Sequence, residues 1–140
     1  MIRSAYFWVL TAALFIGAAM PAAAQSGLRD LKCDGAVNPR WVETARPQLS
    51  WFINPAVIQR AYQVLVASSE EKLKADEGDL WDSGQVRSDH KTVQYKGKAL
   101  SSFQVCYWKV KIWSSMYTAT DYSEPALWQM GMLRFSNKTK

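Results

Sequence analysis

Residues 103 to 113 read FQVCYWKVKIW, and this run limits the fold more than any other part of the chain. Its β-branched and aromatic residues favour an extended strand, in which side chains alternate between two faces. Cys106, Trp108, Val110 and Ile112 then share one face, while Tyr107, Lys109, Lys111 and Trp113 share the other. The first set is a core. Two lysines are costly to bury, so the second set is expected to face water or a partner. A strand with one apolar and one mixed face needs a second layer on its apolar side only, which points to a sheet packed against another sheet. The aromatic density is on this reading mainly packing, with Trp51, Trp108 and Trp128 as core residues, each at the centre of an apolar strand.

Other short runs repeat the pattern. QLSWFI (48–53), AYQVLVAS (61–68), TVQY (92–95) and ALWQMGML (126–133) are strand-like, and GLRDLKC offers a first strand. Proline, glycine, asparagine, aspartate and serine separate them, as in NPR at 38–40, ARP at 45–47, NPA at 54–56 and SEP at 123–125. Proline fixes φ and cannot donate to a ladder, so these are turns. Only SSEEKLKADEGD has helical character, with Ser68 as N-cap, Glu71 three residues on and Gly78 near its end. Six or seven short strands with regular turns in about a hundred residues predict an all-β chain, a two-sheet sandwich.

The first 24 residues stand apart from this pattern. They carry one basic residue, Arg3, then an uncharged apolar run, and end on PAAA. A basic start, an apolar middle and an Ala-x-Ala end are those of a secretory signal peptide, a helix cleaved after Ala24 to leave Gln25 first. The apolar run is shorter than a bilayer core requires, and Pro21 ends it, so no membrane attachment is expected after cleavage. The remainder is long enough for one small domain. The expected organisation is a signal peptide at 1–24, a β-sandwich at 28–133 and a C-terminal tail at 134–140, in a chain exported to the periplasm or secreted.

Charge and motifs exclude several functions. Without Arg3, 16 basic side chains face 12 acidic ones, a mild excess. Residues 70–82 hold six acids and two lysines, while 87–111 hold six basic residues and one acid, Asp89. A basic stretch with neither a phosphate cradle nor an arginine-rich helix reads as a solvated sheet face, so no nucleic-acid partner is expected. Glu70, Glu71, Asp76, Glu77, Asp79 and Asp82 form a charged helix and turn; no pair of carboxyl groups is set across a cleft as glycoside hydrolysis needs. His90 is the only histidine and follows turn-like residues, which leaves little for a metal centre or a serine-histidine relay. No catalytic residue, cofactor site or metal site is therefore predicted.

A family resemblance enters with longer motifs. LSW (49–51), AYQVLVASS (61–69), GDLWDSGQVRSD (78–89), YWKVKIW (107–113) and SEPALWQMGML (123–133) occur in that order, with NP at 38–39 and RP at 46–47. Together they resemble the N-terminal fibronectin-type-III-like module of bacterial α-L-rhamnosidases of glycoside hydrolase family 78, over about residues 28 to 133. The resemblance implies an immunoglobulin/fibronectin-type-III-like sandwich that precedes further domains, with hydrolysis carried out downstream by acidic residues of a helical barrel. The family's next domain normally follows MGML, where this chain continues RFSNKTK. It is expected to be a truncated fragment or a short stand-alone relative.

Two functions fit such a module. One is a non-catalytic scaffold whose partners are the catalytic domains of a rhamnosidase-like enzyme or a second copy of itself. The other is a stand-alone carbohydrate-binding module stacking sugars on exposed aromatics such as Trp41, Tyr117 or Tyr122. In fibronectin-type-III sandwiches the strands holding Leu65 and Tyr107 are neighbours, so Leu65, Phe103, Val105 and Tyr107 are expected to form an exposed, partly apolar docking face rimmed by lysines. The family's tyrosine corner places a tyrosine six residues after a leucine, and Cys106 stands there after Leu100. Export into an oxidising compartment permits a disulfide between Cys33 and Cys106, the only two cysteines, but two buried thiols are the favoured expectation, since strands in different sheets would hold them too far apart.

Overall fold

The computed structural model describes residues 27–114 and 118–134. The signal peptide, its cleavage site and Tyr117 lie outside the described residues.

Seven strands form two antiparallel sheets. Strands β1 (Arg29–Cys33), β2 (Gln48–Phe52) and β5 (Thr92–Gln94) make the smaller sheet, in the order β1-β2-β5. The larger is built from β3 (Gln59–Ala67), β4 (Trp81–Asp82), β6 (Val105–Ser114) and β7 (Ala126–Gln129), in the order β4-β3-β6-β7. This is the two-sheet, all-β sandwich expected from the sequence. The two-residue β4 was not foreseen, because WD between turn residues carries no alternation of its own. It pairs with β3 through Leu65↔Asp82 and Val66↔Trp81.

The core lies between the sheets. Leu49, Trp51 and Ile53 from the smaller sheet meet Tyr62, Val64, Val66, Cys106, Trp108, Val110, Ile112 and Trp128 from the larger one. The inward set of β6 is the one its alternation predicts. Buried polar atoms are partnered: Trp51 Nε1 donates to Gln59 Oε1 at 3.0 Å, and Gln59 Nε2 donates to the carbonyls of Ser88 and His90 at 3.0 and 2.8 Å. Tyr95 sits edge-on to Trp81 and Trp128, with ring centroids 5.5 and 5.9 Å away, and its hydroxyl donates to the Lys98 carbonyl at 2.6 Å. Tyr95, five residues before Leu100 in the chain, thus ties its ring to backbone. Cys33 and Cys106 occupy different sheets as free, buried thiols, and burial foremost pushes both up to about 12.

The helix α1 (Glu70–Lys74) caps one end of the larger sheet. Ser69, rather than Ser68, is the N-cap, accepting from the Lys72 amide at 3.2 Å. Ser68 instead holds Asp79, its amide and hydroxyl donating to the carboxylate at 2.8 and 2.6 Å. The segment after the helix is thereby fastened to the end of β3.

Candidate functional site

The expected docking face does not exist as one surface. Leu65 is 1% exposed, packed with Ala67 and Leu73 beneath α1, with Tyr107 and Tyr122 half-buried against the same cluster. The charged side of the helix faces water and its single apolar residue, Leu73, closes over the sheet. Val105 is half-buried opposite Gln129. Lys109, expected to face water or a partner, is 8% exposed: it pairs with Asp76 after the helix, and its ammonium lies 4.4 Å from the Tyr122 ring centroid. An amphipathic chain laid along the sheet, with an acid and a ring for its charged tip, removes the cost assumed for a lysine there.

Phe103 belongs to a different place. It lies in the turn before β6 with φ of 64°, a left-handed conformation that a bulky residue adopts only under constraint. Its amide donates to the Gly131 carbonyl at 3.2 Å, and its ring lies 5.9 Å from that of Trp41. Trp41 is carried by a segment bound to the end of β7: the Val42 amide donates to the Gln129 carbonyl at 3.0 Å and the Gly131 amide to the Val42 carbonyl at 2.8 Å. A Cβ on Gly131 would stand 2.7 Å from Trp41 Cε2, so only glycine lets the indole lie flat on this backbone. Trp41, Phe103 and Met132 remain 59%, 51% and 53% exposed. Trp41 and Phe103 form an exposed aromatic pair at the edge where the chain leaves β7, and Met132 follows in that departing segment.

Of the expected sugar-stacking residues, Trp41 contacts Phe103 and its Nε1 donates to Glu43 at 3.1 Å. Tyr122 lies elsewhere, half-buried, with the ammonium groups of Lys109 and Lys111 at 4.4 and 4.8 Å from its ring. Burial, with smaller contributions from Asp76 and Asp82, pushes the Tyr122 hydroxyl up to about 12, so it stays a neutral donor. No ring contact joins Trp41 to Tyr122. The acidic residues are equally dispersed: Asp76 is taken by Lys109, Asp79 by Ser68 and Lys72, and Asp82 by Gln63 and the Gly84 amide. His90 is exposed, with its carbonyl holding Gln59. Among the described residues no three metal-ligating side chains gather, and no helix is long and apolar enough to cross a membrane.

Comparison with known proteins agrees with this architecture. The family described as Rha78A-like, N-terminal immunoglobulin domain, matches residues 28–134. An α-L-rhamnosidase of Formosa agariphila is 41% identical over 104 residues, which cover 71% of this chain and 11% of the relative. The structure of α-L-rhamnosidase from Dictyoglumus thermophilum aligns with a TM-score of 0.75 at 34% identity, covering 80% of this chain and 13% of that one. The Streptomyces avermitilis α-L-rhamnosidase, crystallised with L-rhamnose, aligns with a TM-score of 0.69 at 34% identity over 74% of this chain and 10% of its own. The chain thus spans about a tenth of the length of these proteins, and what it matches is the immunoglobulin domain. The rest of those enzymes, with the catalytic domain, has no counterpart in these 140 residues. By sequence and by structure, the chain belongs to the family of Rha78A-like N-terminal immunoglobulin domains.

Proposed function

We propose that this sandwich is a non-catalytic accessory module of an exported α-L-rhamnosidase-like glycoside hydrolase, and that it works by docking onto and positioning the enzyme's other domains. The match to an N-terminal domain occupying about a tenth of its relatives carries this reading. The Trp41 and Phe103 pair supports it. These side chains are large, apolar and exposed on the edge of β7, beside the end of the family's domain at residue 134. A following domain is held closest to the surface from which its chain departs. Exposed apolar clusters with aromatic centres are the usual core of such contacts. Asp76, Asp79 and Asp82 are each engaged by other groups, which leaves no acid and base pair among them to cleave a glycosidic bond.

The test uses a related rhamnosidase from which the N-terminal immunoglobulin domain has been deleted. The purified chain should bind it in trans, and a double change of Trp41 and Phe103 to Ser should weaken binding at least about tenfold while leaving the fold intact. Alone, the chain should release no rhamnose from an aryl rhamnoside. Failure to bind, or turnover abolished by changing one carboxylate, would overturn the reading. Export is checked separately: mass spectrometry of material recovered outside the cytoplasm should show Gln25 as the first residue, and recovery of an intact Met1 would sink it.

A further inference from the structure

The far end of β6 presents a different surface. Trp113 stands opposite Ala61 on the outer face of the larger sheet. The short segment around Val86, bridged to Tyr62, lies along the other side of β3 and brings Gln85 and Arg87 to the same place. A small side chain flanked by large ones leaves a trough, here about 570 Å³, lined by Arg60, Ala61, Gln85, Arg87 and Trp113. That volume lies within the roughly 300 to 1,000 Å³ of small-ligand sites.

Arg60 reaches this face through a bulge. The register passes from Gln59↔Ser114 to Ala61↔Trp113, so Arg60 is an extra residue on β3. In an unbulged strand, with Ala61 outward, Arg60 would point into the core; the bulge re-aims it to the outer face beside Ala61. Lys111 adds a third cation, its ammonium 5.2 Å from the Trp113 ring centroid. Lys109 and Lys72 have carboxylate partners in Asp76 and Asp79, whereas among the described residues Arg60, Arg87 and Lys111 have none. The hollow beside α1, about 370 Å³, offers less: its buried cation, Lys109, is already neutralised.

We infer that this trough binds an acidic oligosaccharide, a short run of sugars carrying uronate carboxylates. Guanidinium groups recognise a carboxylate through paired, charge-assisted hydrogen bonds, the Gln85 amide suits sugar hydroxyls, and an indole suits the apolar face of a pyranose ring. One tryptophan and three cations in a short trough do not make the extended track of cations and stacked aromatics that single-stranded nucleic acid requires. The choice of a saccharide over an acidic peptide rests on the reading of the chain as part of a glycoside hydrolase. The cluster of unpaired cations does not. The trough and the Trp41 edge are separated by the ten residues of β6, roughly 33 Å at 3.3 Å per residue, so the two sites can be tested apart.

The experiment titrates the full 140-residue chain with a galacturonate trisaccharide, following the Trp113 indole signal by NMR and the affinity by calorimetry. The neutral galactose trisaccharide and a thymidylate oligomer of equal charge serve as comparators. Binding should shift the Trp113 signal, weaken as salt is raised, and be at least about tenfold stronger than for the neutral sugar. Arg87→Gln, at an exposed side chain, should lower affinity about tenfold without moving Tm, and Trp113→Ala should lower it for both sugars. Equal affinity for the neutral trisaccharide would remove the role of the cations. Equal affinity for thymidylate would make the trough a general anion surface, and an unmoved Trp113 signal would place any binding elsewhere; each outcome overturns the proposal. None touches the docking reading, which is read at Trp41 and Phe103.

Discussion

The outer face of β6 is closed over by a helix at its beginning and borders an open trough at its end. Tyr107 and Lys109 lie under or beside α1 and its following turn, with Leu65 buried between them and Leu73. Trp113, four residues beyond Lys109, borders an open trough, with the Lys111 ammonium 5.2 Å from its ring centroid. The alternation of side chains is identical along the whole strand, so it cannot explain the difference. A five-residue helix and the turn after it decide it, the helix laying Leu73 and the turn Asp76 over the first half of the strand and stopping there. Whether a mixed sheet face becomes a second small core or a binding surface thus depends on a neighbouring segment rather than on the strand itself.

The sharpest way to break this comparison is to change Leu65. Leu65→Ala should destabilise the domain by about 2–5 kcal/mol, measured by urea unfolding, because it opens a cavity under the helix. Changing Leu65 and Tyr107 together to Ser should unfold the domain. Arg87→Gln, at the trough, should stay within about 0.5 kcal/mol of the parent chain. If Leu65→Ala is as mild as Arg87→Gln, α1 does not cover the sheet in solution.

The second change removes the acid of the turn after the helix. Asp76→Asn leaves the Lys109 ammonium without its carboxylate at a site where water can replace little of it. The Asp76 side chain is 60% exposed, so screening limits the expected loss to about 1–2 kcal/mol. Adding Lys109→Met to Asp76→Asn should recover part of that loss, since an apolar chain of similar length no longer needs a partner. No recovery would mean that the pair contributes through packing alone.

Third comes the helix itself. Ser69→Ala should cost about 1 kcal/mol by removing the oxygen that accepts from the Lys72 amide. Thermal unfolding of this variant beside Ser68→Ala separates the cap from the Ser68 contacts to Asp79.

These residues also mark how far the sequence could be read. The inward face of β6, the two-sheet architecture and the family followed from alternation and from motifs such as WDSG and YWKV, because burial imposes period two on a core strand. The cover on Leu65 did not follow. The helix was legible at 68–79, but where it docks is a tertiary fact carried by Leu73 and Asp76, two residues with no distinctive local pattern. Phe103 was misplaced for a related reason: nothing local separates the end of a strand run from a turn held at positive φ by the Gly131 carbonyl. The Trp41 and Phe103 pair had a faint signal in the glycine of WQMGML, which an indole overlies. The bulge at Arg60 had another, in an arginine that strict alternation would have sent into the core.

The smallest effect concerns pH and tests how the covered half is fastened. Burial draws the Asp79 carboxyl upward, but the Ser68 hydroxyl and amide together with Lys72 outweigh it and leave the group below its ordinary value. The unfolded chain therefore binds this proton more readily than the folded one. The stabilisation is complete above the ordinary aspartate pKa of about 3.9, and is lost as pH falls through the lower folded value. Asp79→Asn cannot titrate and lacks the charge-assisted bonds at every pH. The Tm difference between the parent chain and this variant should be constant from pH 7 to about 5 and shrink below about 4. A difference that stays level down to pH 2 would show that Ser68 and Lys72 hold the protonated carboxyl as well as the carboxylate, so that the fastening of the segment after α1 owes nothing to charge.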